Sequence, residues 1–380
     1  MPPPSSAVER PRPASEPPPE AKVVKRDFQI PSLDGLRAIS FFVVFVSHAG
    51  LDLIPGGFGV TIFFFLSGYL ITTLMRLEHQ SSGTVSLRDF YLRRVLRILP
   101  PFYLVLGFAT LFVMTGLLPG PLAPRPMLAL AGHVTNLWAI SHGMSGQPSG
   151  TGVYWSLAVE EHFYFLFPML FLLLQRALPE KLRVQGAILL GLCALVLAWR
   201  IHLVANGAPE DRTFLGTDTR VDSILFGCIL ALAANPMIDP PRIKPAIARG
   251  VFVPAGFLVL IFCFVYREPW FRETWRYTLQ GIALTPIFIV AMREPEWGPF
   301  KLLNLALLKR IGVLSYSLYL VHQVLLAVFH HANLQPLLAG ALALGCALLI
   351  AELMQRYVEK PCAKLRKRLS HANWTAAKPL

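Results

Sequence analysis

Charged residues are scarce in this sequence, and the scarcity is uneven. Only 15% of the residues are Asp, Glu, Lys or Arg, and 54% are hydrophobic, whereas a soluble domain carries about 25% charged residues. The deficit comes from long charge-free runs such as 126–159 and 311–351. Amphipathic stripes with charged outer faces, expected of a soluble all-α protein, are missing. The composition therefore excludes a soluble fold and predicts a protein of the lipid bilayer.

Other features of common enzyme classes are also absent. The five cysteines form no CxxC pair and mostly lie in apolar runs, so neither structural disulfides nor a metal site is expected. No strand-linked glycine loop for a nucleotide occurs. The net charge of +13 is spread over short loops and not gathered in a patch, so nucleic acid is not an expected partner.

Ten apolar runs approach the roughly 20 residues that a transmembrane helix needs. They lie near 33–53, 57–75, 98–118, 153–175, 184–204, 221–237, 250–266, 277–292, 311–331 and 337–358. We predict an all-α, polytopic bundle of about ten spans in a membrane domain at 28–360. A proline-rich tail at 1–27, expected to be disordered and cytoplasmic, precedes this domain, and a basic cytoplasmic tail at 361–380 follows it.

The apolar segment 121–141 is the one whose crossing is ambiguous. If it does not cross, the arginine-rich loop 76–97, the later basic loops and both termini all lie in the cytoplasm, as the positive-inside rule requires. We therefore predict a re-entrant or interfacial element at 121–141, which is tolerated only where it lines a cavity or is buried in protein. The expected location is the bacterial plasma (inner) membrane.

The first span carries three ionisable residues. Arg37 and His48 are 11 residues apart, so they share one helix face about 16 Å apart along the axis. Asp34 lies one turn before Arg37 and can pair with it. An interfacial Asp–Arg anchor with a packed histidine is one interpretation, and a functional site is the other.

Two arginines open the third span. Arg94 and Arg97 are three residues apart and point the same way from a helix at the cytoplasmic surface. Paired guanidinium groups suit phosphates, but membrane anchoring explains the same pattern.

The strongest anomaly is the segment 153–164, where two carboxylates and a histidine interrupt an uncharged run. Ser156, Glu160 and Tyr164 follow helical spacing and predict one polar stripe. Adjacent residues diverge by about 100°, so Glu160 and Glu161 are not expected to face one site together. A buried carboxylate is costly, which favours function over a structural ion pair.

Two weaker clusters come later. Arg220 and Asp222 open the span 221–237, and Ser315, Tyr319 and His322 share a helical face. Interhelical hydrogen bonding would explain either cluster.

Several segments in this order closely resemble acyltransferase family 3, the bacterial membrane O-acyltransferases of polysaccharides, lipopolysaccharide, Nod factors and macrolides. The matching segments are Leu33–Ile39 with Arg37 and His48, Phe64–Gly68, Arg94-x-x-Arg97 before Pro100, Trp155–Tyr164, Arg220–Gly227, Ser315–His322 and Glu359 before Pro361. The resemblance implies transfer of an acyl group, usually acetyl, from a CoA thioester to a hydroxyl. It also implies that the histidine at 48 is essential and the arginines at 37, 94 and 97 are functionally important.

Ester formation requires a base, a held donor and stabilisation of an oxyanion. We expect His48 to be the base and Glu160 either to orient an imidazole or to hold the acceptor. Arg94 and Arg97 are expected to grip CoA phosphates, and Arg37 to bind donor or acceptor. Asp34, Ser156, Tyr164, Arg220, Tyr319 and His322 are candidate supporting residues.

The expected partners are acyl-CoA as co-substrate, membrane lipid and a carbohydrate or glycoside acceptor, without a bound cofactor. Some relatives carry a C-terminal hydrolase-like domain; because the sequence ends at residue 380, we expect its span domain to act alone or with a separate partner. The alternative class is a transporter or flippase that uses Arg37, His48 and Glu160 as a substrate or proton pathway. Paired inverted repeats would favour it, and none is visible.

Overall fold

The computed structural model describes residues 30–51 and 54–369, and all regular structure within these ranges is helical. Seven helical stretches are long and apolar enough to cross a membrane. They are Gly56–Ser82, Leu87–Met114, Gly152–Ala177, Leu182–Ala205, Pro245–Val265, Ala306–His331 and Pro336–Leu369. The prediction of an all-α, multi-pass membrane protein is confirmed, and the count of about ten spans stays a prediction. The tail at 1–27 lies outside the described residues.

The helices are numbered in chain order. They are α1 Leu33–His48, α2 Gly56–Ser82, α3 Leu87–Met114, α4 Pro124–Ala131, α5 Thr135–His142, α6 Trp155–Ala177, α7 Leu182–Ala205, α8 Glu210–Leu215, α9 Thr217–Ala233, α10 Pro245–Ile247, α11 Val253–Val265, α12 Pro269–Glu273, α13 Trp275–Arg293, α14 Ala306–His331, α15 Pro336–Met354 and α16 Lys360–Leu369. Single π-helical turns join α10 to α11 and α15 to α16. The other three predicted spans correspond to α1, α9 and α13.

Helices α1, α2, α9 and α14 form the centre of the bundle, because α1 packs against both α2 and α14 while α2 packs against α9. The most apolar stretch of α2 is 78% buried within the protein, whereas that of α7 is 17% buried. An apolar helix surface left uncovered by protein is suited to lipid. Helix α7 therefore presents an apolar surface suited to lipid, whereas α2 lies inside the protein.

Glycines allow the closest helix crossing in this core. Gly68 of α2 lies against the backbone of Ile224, and Gly227 of α9 lies against the backbone of Phe65. A Cβ at either glycine would stand 2.0 Å from a carbonyl oxygen, so any larger side chain must push the two helices apart. Close approach through small residues is the usual means of packing helices in a membrane.

The segment 121–141 forms two short helices instead of one spanning helix. Helices α4 and α5 have eight residues each, and a rise of 1.5 Å per residue gives each a length of about 12 Å. Each is too short to cross the hydrocarbon core. A turn at His133, whose φ is 54°, separates them, and the following loop at 143–153 borders a cavity.

Candidate active site

The first candidate site is a cavity lined by three arginines, which we call the arginine cavity. Arg37 of α1 and Arg94 and Arg97 of α3 line it together with residues of α2, α6 and α14. Its volume is about 100 Å³. The three arginines that the sequence predicted to act together are thus brought into one site.

These arginines have few partners of opposite charge. Arg37 Nη1 lies 3.4 Å from Asp34 Oδ1, which is a weak contact. The guanidinium of Arg94 lies over the Tyr164 ring, 5.3 Å from its centroid, and its Nε is buried without a hydrogen-bond partner. Within residues 30–51 and 54–369, Arg94 and Arg97 form no ion pair. Glu160 and Glu161 line the same cavity, so its three arginines leave an excess of positive charge that suits an anion.

A polar stripe on α6 forms the opposite wall of the arginine cavity. Ser156, Glu160 and Tyr164 all line it, as the helical spacing predicted. The Tyr164 hydroxyl is hydrogen-bonded to the Ser67 hydroxyl at 2.5 Å, and both hydroxyls lie beside the Glu160 carboxylate. Glu160 has no ion pair in the described part of the chain, so a structural Glu–Arg pair does not explain it.

The expectation that Glu160 and Glu161 face different sites is wrong. Both side chains line the arginine cavity. The cavity covers a wide arc of α6, and two long side chains can reach it from either edge of that arc despite diverging at their Cα atoms.

The second candidate site is the histidine cavity, defined by His48 at the end of α1 together with Asp211, Gln323 and the loop 144–153. The side-chain nitrogen of Gln147 and the side-chain oxygen of Gln323 are buried without a hydrogen-bond partner, and both residues line this cavity. Its polar lining consists of His48, Asp211, two amides and two serine hydroxyls, set beside apolar side chains such as Trp155 and Phe214. Such groups suit a neutral, hydroxyl-rich ligand.

The hydrogen bonds of His322 determine which nitrogen of His48 carries a proton. His322 Nδ1 lies 2.8 Å from the carbonyl oxygen of Tyr319, which can only accept, so this nitrogen is the donor. Fully buried and without an acid partner, His322 is neutral, and its Nε2 must accept. His48 Nδ1 lies 3.0 Å from that Nε2 and therefore donates. The Nε2 of His48 is left with a free lone pair.

The residue that orients the imidazole of His48 is His322. Glu160 was one candidate to orient the imidazole of His48, but Glu160 lies in the arginine cavity. His322 is the hydrogen-bond partner instead. The two rings are nearly parallel, with centroids 5.3 Å apart, and His322 is fixed in turn by Phe41 and Tyr319.

The two cavities share a wall formed by α6 and α14. Trp155 lines the histidine cavity and the next residue, Ser156, lines the arginine cavity. On α14, Tyr319 faces the arginine cavity and Gln323 faces the other. The Tyr319 hydroxyl is hydrogen-bonded to the Ser156 hydroxyl at 2.7 Å and donates to the carbonyl of Val153 at 3.1 Å. One hydrogen-bonded layer thus separates the cavities.

Arg220 and Asp222 belong to the framework around the cavities. The guanidinium of Arg220 is fully buried and lies 4.0 Å from the centroid of the Tyr277 ring. Asp222 Oδ2 accepts a hydrogen bond of 2.7 Å from Arg200, and both side chains are inaccessible. Neither Arg220 nor Asp222 lines a cavity, so interhelical bonding explains this predicted cluster best.

Several polar residues of the two cavities were not among the predicted site residues, including Glu161, Asp211, Gln147 and Gln323. Gln323 was detectable, because it follows His322 inside an uncharged run. Gln147 lies in a loop and Asp211 in the short helix α8, both between predicted spans, where polar residues are ordinary.

Comparisons with known proteins identify an acyltransferase domain in this chain. The family model described as an acyltransferase domain matches residues 30–354. A putative O-acetyltransferase of Staphylococcus aureus (strain COL) is 28% identical over 362 residues, which cover 91% of this chain and 59% of that protein. Peptidoglycan O-acetyltransferase OatA of Listeria monocytogenes is 31% identical over 356 residues, covering 88% and 56%.

O-acetyltransferase OatA of Staphylococcus aureus (strain NCTC 8325 / PS 47) is 31% identical over 355 residues, covering 88% of this chain and 57% of that protein. The chain thus spans less than three-fifths of the length of these relatives. No solved structure gives a significant match. Because the family model covers most of the chain, this protein belongs to the acyltransferase-domain family, as its sequence motifs predicted.

Proposed function

We propose that the protein is an integral-membrane O-acyltransferase that moves an acetyl group from acetyl-CoA to a hydroxyl of a saccharide or glycoside. The observation that supports this most is the pair of cavities with different chemistry on two sides of one thin wall. One presents three arginines beside two glutamates, and the other presents an oriented imidazole among amides and hydroxyls.

The arginine cavity is the donor site in this proposal. Arg94 and Arg97 bind the CoA phosphates through paired N–H donors. We assign this side, with both termini, to the cytoplasm of a plasma membrane, because basic loops surround it. Glu160 is held beside the hydroxyls of Ser67 and Tyr164, where it accepts hydrogen bonds from the amides of the pantetheine arm. Arg37 completes the positive lining.

His48 is the general base. Its Nε2 takes the proton of the acceptor hydroxyl while that oxygen attacks the carbonyl carbon of the thioester. When the tetrahedral intermediate collapses, the C–S bond breaks, the ester C–O bond remains, and the imidazolium returns its proton to the CoA sulfur. Each proton that His48 accepts is thus given back within one turnover. For this chemistry the acetyl end of the donor must pass the Ser156–Tyr319 layer.

The histidine cavity is the acceptor site. Its unpartnered amide nitrogen on Gln147 and amide oxygen on Gln323 can bond hydroxyl or acetamido groups of a sugar, and Asp211 can accept from a further hydroxyl. Two relatives are named as O-acetyltransferases acting on peptidoglycan or on an unspecified acceptor. A glycan acceptor is consistent with both the lining and these names.

The proposal is tested with the full chain purified into lipid nanodiscs. Acetyl-CoA labelled in the acetyl group is supplied with a panel of amino sugars, neutral oligosaccharides and peptidoglycan fragments. We expect labelled ester on at least one saccharide, in step with release of CoA thiol. The matched control is His48→Gln, which should bind CoA but form no ester. Ester-free release of CoA at equal rates in both proteins, or no release with any acceptor, would contradict the proposal.

A further inference from the structure

The C-terminal helix α16 places basic side chains beside the arginines of α3. The helix packs against α3 after the π-turn that follows α15. Arg366 is half-buried on the inward face of α16, whereas its neighbours Lys367 and Arg368 are exposed. The charges of Arg97 and Arg93 act on Arg366. Three guanidinium groups from two helices are therefore held together at this end of the bundle.

Acidic side chains only partly neutralise this cluster. Arg93 is paired with Glu78 at 2.8 Å. Glu359 lies near Arg97, and its Oε1 also accepts a hydrogen bond from the Ser317 hydroxyl at 2.5 Å, which leaves its charge in place. Arg97 and Arg366 form no direct ion pair among the described residues. The three arginines thus outnumber the two carboxylates, Glu78 and Glu359, so the cluster favours binding of an anion.

Arg97 connects this cluster to the arginine cavity, because the same side chain lines that cavity. A ligand held between Arg366 and Arg97 would thus sit at the mouth of the cavity, with any long extension directed towards Arg37 and Glu160. An inorganic anion has no such extension, whereas a nucleotide whose phosphates carry a long, thin arm has one.

We infer that Arg366 of α16 forms, with Arg97, a binding site for phosphate esters at the mouth of the arginine cavity, and that it takes the phosphates of the donor's nucleotide. This inference rests on the proposed function. The same phosphate chemistry is offered by an anionic lipid headgroup, and the experiment distinguishes the two sources. The guanidinium fork matches two phosphate oxygens at once, which an ammonium cannot do.

The test measures binding of CoA, 3′-dephospho-CoA and pantetheine to the full chain in zwitterionic nanodiscs. Arg366→Ala should weaken CoA binding about tenfold, as expected for loss of charge-assisted hydrogen bonds, and 3′-dephospho-CoA binding by the same or a smaller factor. Pantetheine binding should not change. Arg368→Ala, on the exposed face of the same helix, is the matched control and should bind CoA like the wild type. Arg366→Lys, which keeps the charge, should lie between.

Three results would overturn the inference: wild-type CoA affinity in Arg366→Ala, an equal loss for pantetheine, or a defect seen only in discs containing phosphatidylglycerol. The last result would assign the site to lipid. Failure of this inference is separable from failure of the proposed function. If the wild type transfers acetyl and Arg366→Ala binds CoA with wild-type affinity, only the inference is contradicted. Size-exclusion profiles and the intermediate Arg366→Lys variant exclude misfolding as the cause of a loss.

Discussion

The two cavities differ in how their polar groups are satisfied. In the arginine cavity, Arg94 and Arg97 form no direct ion pair within the described residues, and the three arginines outnumber the two carboxylates, Glu160 and Glu161, that line the same cavity. In the histidine cavity, His48 has one nitrogen fixed by His322 and the other free. The first arrangement favours binding of a negatively charged ligand, and the second leaves the neutral imidazole of His48 able to accept a proton. The difference indicates that the two cavities have different roles, ligand binding in the first and proton transfer in the second.

Among the variants that test these two roles, substitution of His48 should have the largest effect on kcat. A general base contributes about 10² to 10⁴ in rate, so His48→Gln should lower kcat by that factor, because an amide can hydrogen-bond but cannot take a proton. CoA affinity should stay within about twofold of wild type, since His48 does not line the arginine cavity. Wild-type turnover should also fall as the pH is lowered, because protonated His48 has no lone pair. Initial rates and CoA binding are measured on the same nanodisc preparation.

His322 provides the matched variant for this prediction. His322→Ala removes the acceptor that fixes the His48 tautomer, and we expect a smaller loss of kcat than in His48→Gln. His322→Gln can still accept from His48 through its amide oxygen and should recover part of the rate. A stable His48→Gln enzyme with near wild-type turnover would contradict the role of base.

The next effect concerns the arginine cavity. Arg94→Ala and Arg97→Ala should each raise the Kd for CoA about tenfold or more, since charge-assisted hydrogen bonds to phosphate are the strong ones. Arg→Lys should restore part of the affinity, because an ammonium lacks the bidentate fork. Binding of CoA is measured directly, and Arg88→Ala is the control, as Arg88 is exposed on the same helix and does not line the cavity. Unchanged CoA affinity in both alanine variants would indicate that Arg94 and Arg97 anchor the protein at the membrane surface and do not bind the donor.

Much of the fold was predictable because a bilayer imposes a simple rule on sequence. Apolar length and loop charge predicted the all-α, multi-pass bundle and the failure of 121–141 to form one long helix. Helical periodicity likewise predicted the polar stripe of Ser156, Glu160 and Tyr164, because residues four apart on one helix keep their relative directions in any packing.

Relations between helices were not predictable in the same way. Arg37 and His48 share α1, yet they line different cavities, since the polar partners come from α3 and α14. The pairing of His48 with His322 joins residues 274 positions apart, and periodicity within one helix carries no information on such a contact. The width of the arginine cavity, which lets Glu160 and Glu161 both reach it, is also a property of the packed bundle.

The smallest effect tests the wall between the cavities. The Tyr319 hydroxyl already bonds to Ser156 and to the carbonyl of Val153, so it is engaged in the wall and not free to stabilise an oxyanion. Tyr319→Phe removes one neutral hydrogen-bonding group, worth about 1 kcal/mol, and should lower kcat by only severalfold. Because the wall is looser, acetyl-CoA hydrolysis without acceptor should rise relative to transfer. Ser156→Ala removes the other partner of the same bond and should give the same pattern. The ratio of free acetate to ester product measures the effect. Loss of an oxyanion donor costs about 10² to 10³ in kcat. A drop of that size in Tyr319→Phe but not in Ser156→Ala would therefore indicate that the Tyr319 hydroxyl stabilises the oxyanion.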